Sequence, residues 1–398
     1  METRKISLPV RRISPADGQY FFGYYDLQPF NGSEKYHLTH KAPFRERLQV
    51  KGDRAEVGVI DTATGKYDCI DTTCAWNFQQ GAMLQWNPCA NEDEIIFNTL
   101  LDGEPVGVIM NIQTGKKRFL DKPVANVSLD GKYAISINMS RMYNFRPGYG
   151  YAKPEDPYYY KNHPADDGVF IIDLETGKSK LVLSLDEIWN FSGAFFGKDE
   201  KIMINHITFN PDGSRFLMLV RNFPSQDIWH TALITADISG SDMFLLSDYG
   251  VQSHYYWLDN KKVIIFSDGK ELSCTRGWAH NYVLMDKTHE GTIMADGYFD
   301  FDNHMSMSPD RKYMLFDTYP DEKYGMQSLF ICDLGKEIST EIGRFYSLPV
   351  DTTDIRCDLH PRWNRQGDKI TFDSTHEGFR GIYQIEFTQE IKDALFER

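Results

Sequence analysis

Apolar residues in this chain come in short runs, rarely beyond six, that alternate with polar ones and stop at Gly, Asn or Asp. Alternation of this kind between turn residues predicts hairpins of short strands rather than helices. One phrase recurs, an apolar strand ending in Asp or Asn followed by a Thr-Gly-Lys type turn. It stands at Val57-Gly-Val-Ile-Asp-Thr-Ala-Thr-Gly-Lys, at Val108-Ile-Met-Asn-Ile-Gln-Thr-Gly-Lys and at Val169-Phe-Ile-Ile-Asp-Leu-Glu-Thr-Gly-Lys. Looser copies begin at Leu233, Tyr282 and Leu329, and a truncated one at Ile382. Reading outward from these copies gives seven units, opening near Tyr25, Met83, Val124, His206, His254, His304 and His360. Four-stranded units repeated radially make a β-propeller. The expected fold is therefore all-β, a seven-bladed propeller of four-stranded blades forming one domain over residues 1–398. A predominantly β two-domain protein is the alternative. The last unit lacks its outer strand, and the N-terminal segment Ile6-Ser-Leu-Pro-Val-Arg-Arg-Ile is expected to supply it and close the ring.

Four consecutive units open on histidine, at His206, His254, His304 and His360. The other units carry Tyr25, Met83 and Val124 there, whereas a scaffold requirement would recur in all seven. In a blade the first strand is innermost, and its start shares a face with the loop joining the second strand to the third. Those loops bring His40 and Arg45 in the first unit and Arg221 in the fourth, with His376 in the seventh. The third unit departs furthest from the repeat, between Met139 and Gly168, in a stretch rich in Tyr, Pro and Arg. It holds Arg141, Arg146, Tyr149 and Tyr151 and predicts an ordered, ligand-facing loop; a loop that only caps its blade is the plainer reading. Arg, His and Tyr gathered on one face suit a carboxylated ligand, since guanidinium offers carboxylate a planar fork.

Composition narrows the partners. A formal net charge of −14 argues against nucleic acid. No apolar run approaches the ~20 residues of a membrane span. The start has no apolar signal region, so the expectation is a cytoplasmic protein, or a periplasmic one if a leader has been removed. The six cysteines (Cys69, Cys74, Cys89, Cys274, Cys332 and Cys357) form no Cys-x-x-Cys pair and are too few for a disulfide scaffold. Cys357 is singled out by the spacing Cys357-x-x-His360. The loops before His304 and His360 add Asp300, Asp302, Cys357 and Asp358, and His304, His360, Cys357 and Asp302 are the expected metal ligands. Zinc is expected if the thiolate binds, Mn²⁺ or Ca²⁺ otherwise.

Two resemblances follow from particular motifs. Phe209-Asn-Pro-Asp-Gly-Ser-Arg-Phe and Met307-Ser-Pro-Asp-Arg-Lys-Tyr are similar to the signature of TolB-like propeller repeats. A sharper set comprises Phe22-Gly-Tyr-Tyr-Asp-Leu-Gln-Pro, Arg146-Pro-Gly-Tyr-Gly-Tyr, Asn303-His-Met-Ser-Met-Ser-Pro-Asp, Arg356-Cys-Asp-Leu-His-Pro-Arg-Trp and Phe372-Asp-Ser-Thr-His-Glu-Gly. These resemble the seven-bladed propeller polysaccharide lyases, the oligogalacturonate and ulvan lyases. The resemblance implies β-elimination on uronate-containing oligosaccharides, with His304 and His360 as metal-binding positions. A histidine it implies two places before His360 is Asp358 here, and an arginine base it implies in the fourth unit is Ala232. His206, His254, Tyr149 and Arg221 are then the candidate catalytic groups. Arg141, Arg146, Tyr151, Arg45, His40 and His376 are the candidate contacts for an acidic oligosaccharide. The reading from another class is a non-catalytic propeller that binds a glycan or protein.

Overall fold

The residues that punctuate the sequence act by direct hydrogen bonding. Asp61 Oδ1 accepts the backbone N–H of Ala63 at 3.2 Å and of Thr64 at 2.9 Å, and Asn111 and Asp173 organise the same turn. Each turn closes on a glycine of left-handed backbone, Gly65, Gly115 and Gly177 with φ of 72°, 70° and 73°, where a β-carbon would be strained. Each joins the third strand of a blade to the fourth.

A computed structural model describes residues 1–152, 156–223, 230–269, 279–295, 298 and 300–397. The protein is a seven-bladed β-propeller of antiparallel, four-stranded blades. Its chain packs as two compact units, one of Met1–Ile96, Met110–Lys116 and Asn303–Arg398, the other of Phe97–Ile109 and Lys117–Asp302.

Within the first unit, blade one is Gln19–Phe21, Tyr36–Ala42, Ala55–Asp61 and Tyr67–Thr73. Blade six is Met305–Met307, Tyr313–Asp317, Met326–Asp333 and Ile338–Tyr346. Blade seven has Arg362–Trp363, Lys369–Ser374 and Gly381–Glu386, and its outer strand is Arg11–Arg12, antiparallel to Gly381–Glu386. The N-terminal segment thus completes the last blade. It also does something the sequence pattern did not show. Glu2–Lys5 runs parallel to Ile338–Tyr346 and gives blade six a fifth strand. Leu315, Ile331, Leu359, Ile370, Ile385 and the helical Leu395 belong to one apolar core here.

Within the second unit, blade three is Asn126–Val127, Tyr133–Ser136, Gly168–Asp173 and Ser179–Ser184. Blade four is Ile202–Phe209, Arg215–Asn222, Thr231–Asp237 and Phe244–Gly250. Blade five is Gln252–Trp257, Lys262–Ser267, His280–Met285 and Gly291–Ile293. Leu217, Leu233, Tyr255, Val263 and Tyr282 belong to the core of blades four and five. The remaining blade, blade two, is Gln85–Trp86, Glu94–Leu101, Glu104–Asn111 and Lys117–Phe119. No helix among the described residues is long and apolar enough to cross a membrane.

The four histidines share a register. Each stands three residues before the last residue of its blade's first strand, at Phe209, Trp257, Met307 and Trp363. His304 and His360 precede their short strands as expected. His206 and His254 instead lie inside longer strands, at irregularities in the pairing between Ile204 and Ile207 and between Gln252 and Tyr255. Such bulges re-aim side chains without ending the strand.

Candidate functional site

In the first unit, His304, Asp358 and His360 bring one potential ligand atom each to within 4.8 Å of one another, and all three are buried. The imidazole centroids of His304 and His360 are 4.3 Å apart. Asp317, at the end of the second strand of blade six, holds the arrangement. Its Oδ1 accepts the His304 backbone N–H at 2.9 Å and faces the His304 Nδ1 at 2.9 Å, while its Oδ2 accepts the His360 N–H at 3.1 Å. The Nδ1 of His360 lies 2.9 Å from the carbonyl of Gly23. With Nδ1 of each ring donating to an oxygen, Nε2 is the nitrogen that carries the lone pair, as in metal-ligating histidines fixed by an outer partner. His360 has φ of 42°, a left-handed position that a side chain adopts at some cost in strain and that directs the ring.

The Phe22-Gly-Tyr-Tyr motif packs directly on these rings. Tyr24 meets His360 at 5.2 Å and Tyr25 meets His304 at 5.3 Å between centroids, both tyrosines being buried. Arg356 spans the Asp358 carboxylate, Nε to Oδ1 at 2.5 Å and Nη2 to Oδ2 at 3.1 Å. Burial alone would raise the Asp358 carboxyl, but the charge and hydrogen bonds of Arg356, with His304 and His360, hold it below the ordinary carboxylate range. Two imidazole Nε2 atoms and an ionised carboxylate form a nitrogen–oxygen donor set that fits a divalent cation.

Cys357 stands outside that group, contrary to expectation. Asp358 converges with His304 and His360, while Cys357 and Leu359 on either side of it are buried. Leu359 joins the apolar core, and burial pushes the Cys357 thiol up to about 12. Asp302, also expected as a ligand, belongs to the second unit. Its carboxylate accepts from the Ser253 hydroxyl at 2.7 Å and faces the His254 Nδ1 at 2.9 Å. Nearby in sequence, Asp300 pairs with the Nδ1 of His280 at 2.7 Å. Cys274 lies outside the described residues.

Three of the expected substrate contacts are buried and hydrogen-bonded within the protein. His40 is fully buried, with Nδ1 2.8 Å from the Phe22 carbonyl and Nε2 accepting the Ala82 N–H at 3.0 Å. Arg141 is buried and donates to the carbonyls of Ile202, Tyr158, Lys161 and Asn162, so its fork is filled by backbone. The Tyr151 hydroxyl, also buried, accepts from Asn98 Nδ2 at 2.7 Å. In each case the buried polar group is satisfied by partners within the protein.

The other named residues differ in burial, His206, Arg221 and Tyr149 being buried and Arg146, Arg45 and His376 half-buried. Arg146 is half-buried with its guanidinium 4.1 Å from the ring centroid of Tyr149. His206 stacks on Tyr255 at 4.6 Å, and Arg221 is buried near the end of Arg215–Asn222, opposite Thr231. Arg45 is half-buried with Glu46 at 3.6 Å, and His376 Nδ1 lies 2.8 Å from the Ser374 hydroxyl. Ala232 pairs with Val220 inside blade four, fully buried.

No family model matches the sequence, and no curated protein matches it in sequence comparison. Among solved structures the chain is similar to an oligogalacturonate lyase in complex with manganese, with a TM-score of 0.68 over 98 % of this chain and 100 % of that one. It is similar also to an oligogalacturonate lyase from Vibrio parahaemolyticus, with a TM-score of 0.64 over the same 98 % and 100 %. This is the propeller fold of the oligogalacturonate lyases. Sequence identities of 14 % and 12 % carry that fold and not the reaction. The tricorn protease matches less well, with a TM-score of 0.53 and 35 % of its own chain covered.

Proposed function

We propose that this protein is a divalent-metal-dependent lyase that cleaves uronate-containing oligosaccharides by β-elimination. The observation that carries the reading is the convergence of His304, Asp358 and His360 in a propeller of this fold. Without a thiolate the donor set no longer singles out zinc, and Mn²⁺ is taken as the cation because the similar oligogalacturonate lyase is a manganese complex. The cation would serve as a Lewis acid toward the uronate carboxylate, making the C5 proton acidic. His304 and His360 would hold it through Nε2, each ring oriented by its Nδ1 partner.

Within the second unit, the residue assigned to act as a base is His254. Its Nδ1 is held on Asp302, which sets Nε2 as the proton acceptor and supports the imidazolium that forms. Removal of the C5 proton leaves the electron pair to form the C4–C5 double bond as the O4 glycosidic bond breaks. Tyr149, beside the guanidinium of Arg146, is assigned as the group that returns a proton to O4. His206 and Arg221 are kept for substrate orientation. Arg45 and His376 are assigned to the outer sugar residues.

The test is direct. Galacturonan, ulvan and glycosaminoglycan oligomers, supplied with Mn²⁺, are followed for the ultraviolet absorbance of the conjugated unsaturated uronate. His254→Ala should lower kcat by about 10²- to 10⁴-fold with bound manganese unchanged. His304→Ala with His360→Ala should release the manganese. No unsaturated product across the panel would sink the lyase reading.

A further inference from the structure

The acidic member of the candidate metal centre is already engaged. Arg356 takes both oxygens of Asp358, at 2.5 and 3.1 Å, the two-pronged geometry in which an arginine–carboxylate pair is strongest. The Asp358 side chain is 1 % exposed, so its charge cannot stand without a counter-charge. A divalent cation on the same carboxylate would supply that counter-charge and would repel the guanidinium.

Arg356 is built so that only its side chain need move. Its backbone N–H bonds the Thr353 carbonyl at 3.1 Å, and its own carbonyl accepts Gln79 Nε2 at 2.9 Å. The guanidinium lies on the ring of Tyr319, 4.2 Å from the centroid, and keeps 19 % exposure. Tyr319 in turn meets the edge of His304 at 5.6 Å. The arginine therefore rests on an aromatic face between the centre and water, a surface over which a planar guanidinium slides at little cost.

We propose that Arg356 is a relay residue: it clamps Asp358 when no divalent cation is bound and, when a cation takes that carboxylate, turns its fork to the carboxylate of an acidic sugar. This rests on the metal reading of His304, Asp358 and His360. Cation and ligand binding are then coupled through one side chain, and the coupling is reciprocal.

Calorimetric titration with Mn²⁺ alone and with galacturonate as the probe sugar tests it. Arg356→Gln should bind Mn²⁺ about tenfold more tightly than the wild type, because the competing charge is gone. Arg356→Lys, which keeps the charge but cannot span both oxygens, should show a smaller rise. In the wild type Mn²⁺ should tighten galacturonate binding by about tenfold, and in Arg356→Gln by about twofold or less. Unchanged or weaker Mn²⁺ binding in Arg356→Gln, with binding still abolished by His304→Ala, overturns the relay and leaves the metal reading standing. Coupling that persists undiminished in Arg356→Gln overturns it as well. Absence of Mn²⁺ binding in every protein, wild type included, overturns both. If Arg356→Gln does not give folded protein by circular dichroism, Arg356→Lys decides, and an affinity equal to wild type refutes the relay.

Discussion

His37 and His40 share one strand of blade one, and neither has anything to do with protons at neutral pH. Burial pushes His37 down to about 3 and His40 to about 4, against an ordinary value of 6.5. The unfolded chain therefore binds protons that the folded one refuses between pH 6.5 and about 4. Stability is fully present above pH 6.5 and falls as the pH drops through that window. For His40 alone the loss is on the order of 3 kcal/mol. Urea unfolding followed from pH 7 to pH 4.5 should show the midpoint falling, and His40→Gln should flatten the slope. An imidazole that titrates near 6.5 in the folded protein, read by NMR, would contradict this. The same contrast explains which site residues could be read from sequence. His304 and His360 were legible because a repeat places equivalent residues in equivalent positions. Gly23, Tyr24 and Tyr25 were marked as part of the Phe22-Gly-Tyr-Tyr motif but given no place at the centre, and Asp317 was not marked at all, since it reaches the centre from another strand. Cys357 was preferred over Asp358 on chemistry, whereas it is Asp358 that converges with His304 and His360 while burial pushes the Cys357 thiol up.

The long connection in blade three begins with a helix that the described residues after it hydrogen-bond to and pack on. Asn138 caps the helix Met139–Phe145, accepting the N–H groups of Ser140 and Arg141, and its amide donates to Asp156 and Asp167. Gly150 lies flat on that helix. A β-carbon there would sit 2.1 Å from the Tyr143 nitrogen and 2.6 Å from the Met139 carbonyl oxygen, both of them backbone atoms that cannot step aside. Gly150→Ala should therefore cost about 3 kcal/mol or more, as overpacking against fixed atoms does. The expected signature is a lower urea midpoint with faster proteolysis in residues 156–166, and an unchanged midpoint would show the contact to be soft. Tyr, Pro and Arg content marked this stretch as an ordered loop, and its described residues, 139–152 and 156–167, include the helix and the hydrogen bonds given above. It did not separate Arg146 and Tyr149 from Arg141 and Tyr151, because backbone carbonyls compete for a guanidinium as well as any ligand does.

At the scale of the whole molecule, seven units and the missing outer strand of the last one were legible because strand period and turn residues are local properties. The parallel pairing of Glu2–Lys5 with blade six was not, since alternation identifies a strand and leaves its partner open. The consequence is that one short segment ties down two blades. Glu2–Lys5 covers the edge of Ile338–Tyr346, Arg11–Arg12 covers that of Gly381–Glu386, and between them Ile6, Leu8 and Val10 pack against the core of blades six and seven. Removing residues 1–12 should uncover both edges and that apolar surface together. From the three side chains alone the loss is on the order of 5 kcal/mol, and uncovered strand edges favour association between copies. The shortened protein should show a lowered urea midpoint and growth of scattering at moderate concentration. A monomer with the wild-type midpoint would mean that blades six and seven hold without their added strands.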